Sequence, residues 1–470
     1  MELITTYNIE KKIFKNFERN GIIPRRQAST GLWLGLLIGL CAITTLLRED
    51  HSYSEICLLV GVTGISLIIS CFCLFIQLSR NTTASRDFQV LYFLPASISS
   101  MLYLLWVNKG LFVSVIWGLG VGSLSTWGVL QIMSHLPGCF TLGESITVMH
   151  GIILFLLSCG TNLPLRYHLP PLHDDDIATT ILQVGILFVG LVCFLCLFYP
   201  KVRTTNYFYL ITFGLLTFGV IPLLHVLLDQ SPLLWMIFFA FGNIKRVFLI
   251  IYWAICSLIT VTFITYKIFS DSNATTVDRK ALHFLAALVY LPGLILEPTL
   301  LYLASGIVLA LFIFLELMRL IKVPPLNSAL EYGFSVFVDD KDCSIALTPL
   351  YLHAGLSFPL WMPTSNIELL PLLSGVLSLG IGDATASIVG TLWGKHKWSG
   401  TNKSIEGTIG CILSQLVVIY GLAILGFVSN GWFTLLKSTL AVIGVSLVEA
   451  QTNQIDNLVL PLLLYIFLLI

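Results

Sequence analysis

Apolar runs of about 20 residues recur from near residue 30 to the last residue, separated by short polar or Pro/Gly breaks. Runs of that length suit helices crossing a hydrocarbon layer about 30 Å thick, and exceed the roughly ten-residue strands of a membrane barrel. The pattern predicts an all-α, polytopic transmembrane helical bundle of about 15 spans. They fall near 31–47, 54–78, 88–107, 110–133, 144–160, 177–199, 207–228, 247–268, 281–296, 298–318, 345–360, 367–392, 405–427, 432–448 and 458–470. The stretch 231–241 is apolar but short, and is expected to be re-entrant or interfacial.

Composition agrees with this picture. The chain is 56% hydrophobic and 11% charged, where a soluble domain carries about 25% charged residues. A formal net charge of zero gives no bulk attraction to nucleic acid. Most of the 11 cysteines lie inside apolar runs. Cys193 and Cys196 have the spacing of a metal or redox pair, but in mid-span they read as packing residues. The first thirty residues are polar and basic, so the first apolar run is expected to act as a retained signal anchor.

Charge also sets an expected orientation. Lys11, Lys12, Lys15, Arg19, Arg25 and Arg26 precede the first span. Alternation from there puts the loops bearing Arg80/Arg86, Lys201/Arg203, Arg279/Lys280, Arg319/Lys322/Lys341 and Lys395/Lys397/Lys403 on the N-terminal side. The opposite side carries His173 and Asp174 to Asp176, so the positive-inside rule makes the N-terminus cytoplasmic. Three regions follow by character: a basic cytoplasmic segment (1–30), a scaffold of spans with few ionisable groups (31–270), and a region whose span ends are repeatedly polar (271–470). The last is expected to carry the chemistry, because ionisable residues in a lipid-solvated chain are costly and mark functional sites.

Four polar clusters fall on the expected cytoplasmic side. In the first, Lys280 and His283 are i,i+3, and Arg279 and His283 are i,i+4, so they can share a helix face. Ordinary flanking charge accounts for the Arg and Lys better than for the His. The second is Glu316 with Arg319, an i,i+3 pair that on its own reads as structural, followed by an amphipathic piece over 326–338.

The third cluster spans 379–410. Gly382, Ala386, Gly390 and Gly394 form a small-xxx-small row suited to close helix packing. That row does not explain Asp383, expected at a helix end and in need of a cation, either a lysine or a metal. The loop that follows holds Gly394, Lys395, His396, Lys397, Trp398, Ser399, Gly400, Thr401, Asn402, Lys403 and Ser404, and leads to Glu406 at a helix start. Freed backbone N–H groups, lysine ammonium groups and a helix N-terminus all suit phosphate oxygens.

In the fourth cluster Glu449, Asn453, Asp456 and Asn457 recur at i, i+4, i+7 and i+8, which on one helix makes a single face able to hold Mg2+ through oxygen ligands. Together the clusters point to a Mg2+–nucleotide site and to phosphoryl or nucleotidyl transfer, chemistry that depends mainly on positioning and charge neutralisation. Gly390, Gly394 and Lys395 have the wrong spacing for a P-loop, and no protein-kinase motif is present.

At these residues the chain resembles the polyprenol kinase family that includes dolichol kinases. The resemblance is carried by Arg279-Lys280-x-x-His283, Glu316-x-x-Arg319, Gly382-Asp383 through Ser387, and Lys395 to Lys403 with Trp398-x-Gly400-Thr401. Lys403-x-x-Glu406-Gly407-Thr408 and Glu449-Ala450 with Gln454-x-Asp456-Asn457 complete it, over roughly 278–460. The resemblance implies an endoplasmic-reticulum membrane enzyme that transfers the γ-phosphate of CTP to dolichol, with CTP bound on the cytosolic side by the segment 394–406. It further implies Asp383 for Mg2+ or hydroxyl activation, Lys280 and His283 beside the reacting groups, and Lys395 and Lys403 on CTP phosphates. Glu406, Glu449 and Asp456 are implied for metal or ribose, with Glu316, Arg319 and Asn457 in support.

Three alternatives remain at this point. A kinase of another prenol (phytol, farnesol or a polyprenol) fits the same motifs. A membrane cytidylyltransferase would also use CTP and Mg2+, but would release pyrophosphate. A transporter would spread its charges about the midplane and across both halves, whereas here they gather at one face of the C-terminal half. The orientation carries a prediction. Asn81, Asn273 and Asn402 head glycosylation sequons on the expected cytoplasmic side, so none should carry a glycan. Glycosidase treatment should leave electrophoretic mobility unchanged, and a shift that disappears in Asn402→Gln would reverse the orientation.

Overall fold

The computed structural model describes residues 2–26, 28–48, 55–80, 93–270, 275–337, 341–363 and 368–470. Asn81 and Asn273 lie outside them. The described residues form helices joined by short connections, with no strand and an isolated antiparallel bridge between Lys397 and Ser404. Every predicted apolar stretch corresponds to a helix. Among the described residues, eleven helices are long and apolar enough to cross a membrane. Four of the fifteen stretches form shorter helices: Leu32–Arg48, Phe93–Trp106, Leu347–Trp361 and Asp456–Leu469. At 1.5 Å per residue such helices cover about 21–26 Å, short of a full hydrocarbon layer. The stretch 231–241, expected to be re-entrant or interfacial, forms the short helix Pro232–Phe241. The stretch 144–160 extends to Leu142–His168, because Arg166 is accommodated by Asp176 at 2.7 Å and by Asn162 at 3.0 Å.

The helices pack into two compact units. The first comprises residues 1–158, 362–374 and 447–470, and the second 159–361 and 375–446. These boundaries follow packing and cut across the division by polar character near residue 270.

In the first unit the N-terminal helix Glu2–Arg19 buries Ile13, Asn16 and Phe17 on one face, and Asn16 Nδ2 donates to the Leu78 carbonyl at 3.1 Å. Leu32–Arg48 and Glu55–Ser79 approach so closely that a Cβ on Gly39 would lie 2.7 Å from the Gly64 carbonyl oxygen. Asp456–Leu469 is almost wholly buried here, and Tyr465 shares a 2.9 Å hydrogen bond with Thr45.

In the second unit the helices run back and forth between two polar ends. One end gathers Asp174, Asp175 and Asp176 with Arg166, Arg246 and Glu297. Arg246 Nε donates to Glu297 at 3.0 Å, and its guanidinium lies 3.9 Å from the Phe239 ring centroid. The other end begins the Thr276–Leu296 helix. Thr275 and Asp278 form a reciprocal capping box there, and Lys267 pairs with Asp278 at 2.7 Å. The cap fixes where that helix starts, and hence the direction in which Lys280 and His283 project.

Glu316 and Arg319 form a latch at this same end. Arg319 grips Glu316 with two N–H groups at 2.9 and 2.7 Å, reaches Glu331 at 2.9 Å and the Ser344 carbonyl at 2.7 Å, and lies over Phe334. Glu316 also accepts the Ala346 N–H at 2.8 Å. The pair ties Pro298–Ile321 to the amphipathic helix Asn327–Phe337 and to the chain entering Leu347–Trp361. Arg319 is buried, so Arg319→Ala should cost about 3–5 kcal/mol by stranding Glu316. Glu331→Gln removes only a solvent-exposed partner and should cost about 1 kcal/mol or less. Thermal denaturation of both variants in detergent checks this, and equal shifts would contradict the latch.

Candidate active site

Asp383 lies in a wide-turned, π-helical stretch over Val376–Asp383, which continues as a regular helix to Trp393. Such stretches recur at functional sites. The sequence placed Asp383 at a helix end, whereas it stands inside the Val376–Trp393 span. The wide turn joins smoothly to the next helix, because Ala384 keeps right-handed helical angles. Asp383 is 3% exposed, and its cation is the Lys280 ammonium, which donates directly to Oδ2. His283 Nε2 is 3.9 Å from the same oxygen. His283 Nδ1 donates to the Arg279 carbonyl at 2.9 Å, so in the neutral ring Nε2 is the lone-pair nitrogen that faces the carboxylate.

Small residues let the two helices meet. A Cβ on Gly380 would lie 2.4 Å from Ala287 Cβ, so neither position has room for a larger side chain without displacing a helix. The contacts pair 380 with 287 and 383 with 280, so the helices run antiparallel. The segment 384–393 therefore continues beyond the start of Thr276–Leu296 and carries the basic loop to the same end of the unit as Lys280.

The small-residue row packs against Ile405–Ile424. A Cβ on Gly382 would meet Gln415 Nε2 at 2.6 Å, one on Gly407 would meet the Ala386 carbonyl at 2.7 Å, and one on Gly394 would meet Ser404 Oγ at 2.7 Å. Gln415 is a buried neighbour of the Asp383 turn that no local pattern signalled. Its Nε2 donates to the Cys411 carbonyl at 3.1 Å.

The loop from Gly394 to Glu406 is a compact hairpin. Trp398 N donates to the Lys403 carbonyl at 3.0 Å and Ile405 N to the His396 carbonyl at 2.8 Å. Gly400 has φ +79°, a left-handed value that lets the chain reverse at Ser399 and Gly400. Lys397 Nζ closes the turn by donating to the Asn402 carbonyl at 2.7 Å, and the Thr401 hydroxyl accepts from Lys403 N at 3.3 Å. Ser404 caps the next helix by accepting from Gly407 N at 3.1 Å.

Glu406 anchors the hairpin to that helix. It accepts the His396 backbone N–H at 3.2 Å and Nδ1–H at 2.6 Å. Trp398 Nε1 donates to Thr408 Oγ1 at 3.0 Å. Lys395 is exposed and its ammonium has no partner among the described residues. The eleven residue steps from Asp383 to Gly394 correspond to about 16 Å of helix, so the hairpin and Asp383 are separate parts of one end of the unit.

The fourth cluster differs from expectation. The helix Trp432–Gln451 ends before Asn453, and Asp456 opens a new helix, so Glu449, Asn453, Asp456 and Asn457 do not share one helical face. Contacts from distant chain segments to 453–455 interrupt the helix there. Glu449, Asp456 and Asn457 belong to the first unit and Asp383 to the second. Among the described residues no group of three or more His, Cys, Asp and Glu side chains is placed to hold a metal ion. Mg2+ is commonly held by one or two carboxylates with phosphate and water oxygens completing the shell, and Asp383 suits that sparse mode.

Comparison with known proteins decides the family. The sequence model of the dolichol kinase family matches residues 115–349, half of the chain. The chain is also 30% identical to the dolichol kinase EVAN of Arabidopsis thaliana, over 82% of this chain and 74% of the relative. The chain belongs to the dolichol kinase family. It is 34% identical to the dolichol kinase of Bos taurus and 35% identical to that of Mus musculus, over 71% of this chain in each case. The match spans 66% of the length of both mammalian relatives. No solved structure matches the chain significantly. The stretch matched by the family model holds Lys280, His283, Glu316 and Arg319, while Asp383 and the hairpin follow it.

The close approach at Gly380 carries a prediction for this family member. Gly380→Ala should lower the melting temperature by forcing the Lys280 and Asp383 helices apart, and adding Ala287→Gly should recover at least half of the loss. Absence of recovery in the double variant would contradict this packing.

Proposed function

We propose that this family member is a membrane-embedded kinase that transfers the γ-phosphate of CTP to the terminal hydroxyl of dolichol, supplying dolichyl phosphate as a lipid carrier for glycosylation. The observation that carries the reading is the pairing of the partly buried Lys280 with the buried Asp383, with His283 beside it, in a chain of the dolichol kinase family. The hairpin at the same end of the unit supplies an exposed cation at Lys395. Eleven helices able to cross a membrane suit an acceptor that itself lies in the bilayer.

In this reading the dolichol oxygen forms a bond to the γ-phosphorus. The bond from that phosphorus to the β–γ bridging oxygen breaks, and CDP leaves. The hydroxyl proton passes to His283 Nε2, the ring nitrogen not used in holding Arg279. Lys280 sits on the Asp383 carboxylate and places its positive charge against the phosphoryl oxygens as charge develops on them. Asp383 is the residue that would hold Mg2+, which would supply charge neutralisation for the nucleotide phosphates. Lys395 and Lys403 serve the outer phosphates, and the remaining hairpin residues from Gly394 to Glu406 shape the nucleotide pocket. The buried small-residue contacts at Gly380 and Gly382 keep the reacting end compact and limit water access.

The protein is proposed to reside in the endoplasmic-reticulum membrane with its N-terminus and the hairpin facing the cytosol. In support, Lys201, Arg203, Lys280, Arg319 and the loop lysines cluster at the hairpin end of the second unit, while Asp174 to Asp176 and Glu297 lie at the other.

Purified protein in detergent, given γ-labelled CTP, Mg2+ and a panel of dolichol, polyprenol, phytol and phosphatidate, tests the reading. Label should enter the dolichol fraction with release of CDP. Label in no lipid contradicts the kinase. Preferential labelling of phytol would move it to another prenol, and pyrophosphate release with phosphatidate would make it a cytidylyltransferase.

A further inference from the structure

The segment before the first apolar helix forms a charged surface that the reaction above does not use. Its helix, Glu2–Arg19, is tied to the first unit at two points. Glu10 Oε1 accepts from the Thr30 hydroxyl at 2.7 Å and from the Thr30 N–H at 3.3 Å, while Asn16 Nδ2 donates to the Leu78 carbonyl at 3.1 Å. Thr30 stands just before the apolar helix Leu32–Arg48, and Leu78 stands at the end of Glu55–Ser79. The latter is long enough to cross the hydrocarbon layer, so its end reaches the level of the lipid headgroups. These anchors hold the N-terminal helix at that level.

The anchored helix turns its charge outward. Lys11, Lys15 and Arg19 recur at i, i+4 and i+8, and Lys12 lies three residues before Lys15, so the four share one face, away from the buried Ile13 and Phe17. All four are exposed, and none makes an ion pair or side-chain hydrogen bond among the described residues. Arg25 takes no part, because it is buried against Glu144 at 2.6 Å. Over residues 9–26 Glu18 is the exposed carboxylate, so the face sets four cations against one anion. Like charges at i, i+4 repel one another. Orienting the first span needs only cations near it, which a loose tail would supply. Holding them side by side on an anchored helix adds a repulsion that an outside anion would remove.

The surface beside the cations indicates which anion. Phe14, Ile22, Ile23 and Pro24 line an open groove of about 580 Å³, with Glu18 and Arg26 also on its wall. Ile23 is 53% exposed there. Cations next to an apolar groove at headgroup level match an amphiphile, whose phosphate meets the cations while its glycerol and first acyl carbons cover the groove. We propose that Lys11, Lys12, Lys15 and Arg19, with this groove, form a binding surface for anionic phospholipids of the surrounding membrane. The charge pattern expects this side to face the cytosol, the side whose leaflet carries anionic lipids. The proposal stands independently of the kinase reading.

The test reads the lysines themselves. Full-length protein is placed in nanodiscs of phosphatidylcholine, with or without phosphatidylserine, and treated briefly with a neutral amine-acylating reagent. Acylated peptides are then quantified by mass spectrometry. Lys11, Lys12 and Lys15 should acylate about fivefold more slowly with phosphatidylserine, as expected for cations held at an anionic surface. Salt at about 0.5 M should remove most of that protection. Lys245, exposed at the acidic end of the second unit, should keep its rate. Lys12→Gln/Arg19→Gln changes exposed residues alone, should fold as wild type, and should lose at least half of the protection at Lys11 and Lys15. Equal rates with and without phosphatidylserine, equal slowing at Lys245, or undiminished protection in the double variant would overturn the proposal. Protection by soluble polyglutamate but not by phosphatidylserine would also overturn it, and would assign the face to an acidic protein.

Discussion

A buried carboxylate paired with a partly buried lysine between apolar helices sets the terms for the second unit. Lys280 and Asp383 lie 103 residues apart and meet where the carboxylate is buried and the ammonium partly so. Removing two such groups from water costs several kcal/mol per ion, and their attraction repays it only with close contact. Close contact in turn needs Ala287 against Gly380, and a helix start fixed by Thr275 and Asp278. The Arg319 latch, the capping box and the small-residue row therefore hold the geometry that makes one lysine–carboxylate pair tolerable. An apolar pair would hold these helices at lower cost, so retention of the charges argues for chemistry.

The hairpin follows a different economy. Its turn is closed by main-chain hydrogen bonds and by Lys397, and it is fastened to the next helix by Glu406, His396, Trp398 and Thr408. Preorganising a loop in this way lowers the entropy lost when a ligand binds. Of the loop's charged groups, Lys397 and Glu406 hold its shape, and Lys395 is left exposed. The hairpin and the Lys280–Asp383 pair stand about three helical turns apart along Val376–Trp393, so under the proposed function the nucleotide would extend from one toward the other.

Much of this was legible from sequence, for reasons that also explain what was not. Helix positions followed from hydropathy, because lipid requires each span to satisfy its own backbone. The span count was less legible, since four apolar stretches make helices of about one-half to two-thirds of the longest span's length and only tertiary packing decides how such helices end. That Asp383 needed a cation followed from the cost of burial; that the cation is Lys280 did not, because nothing local connects them. The row at Gly382, Ala386 and Gly390 announced close packing, and the partner helix is indeed the next one. Glu449 to Asn457 misled, because its spacing is helical and the break is imposed by Arg25, Ser29, Thr141 and Glu144 from far away in the chain. Glu144 carried no reading of its own from the sequence. A carboxylate next to an apolar window is the signal that marks it.

The central claim is that Lys280 and Asp383 work as one unit in phosphoryl transfer. A double-mutant cycle on turnover, with Lys280→Ala, Asp383→Asn and both together in protein matched for folding and detergent, measures this directly. Each single change should lower kcat by about a hundredfold or more, and the double variant should be no slower than the worse single one. Losses that multiply, or near-normal turnover in either single variant, would contradict the account.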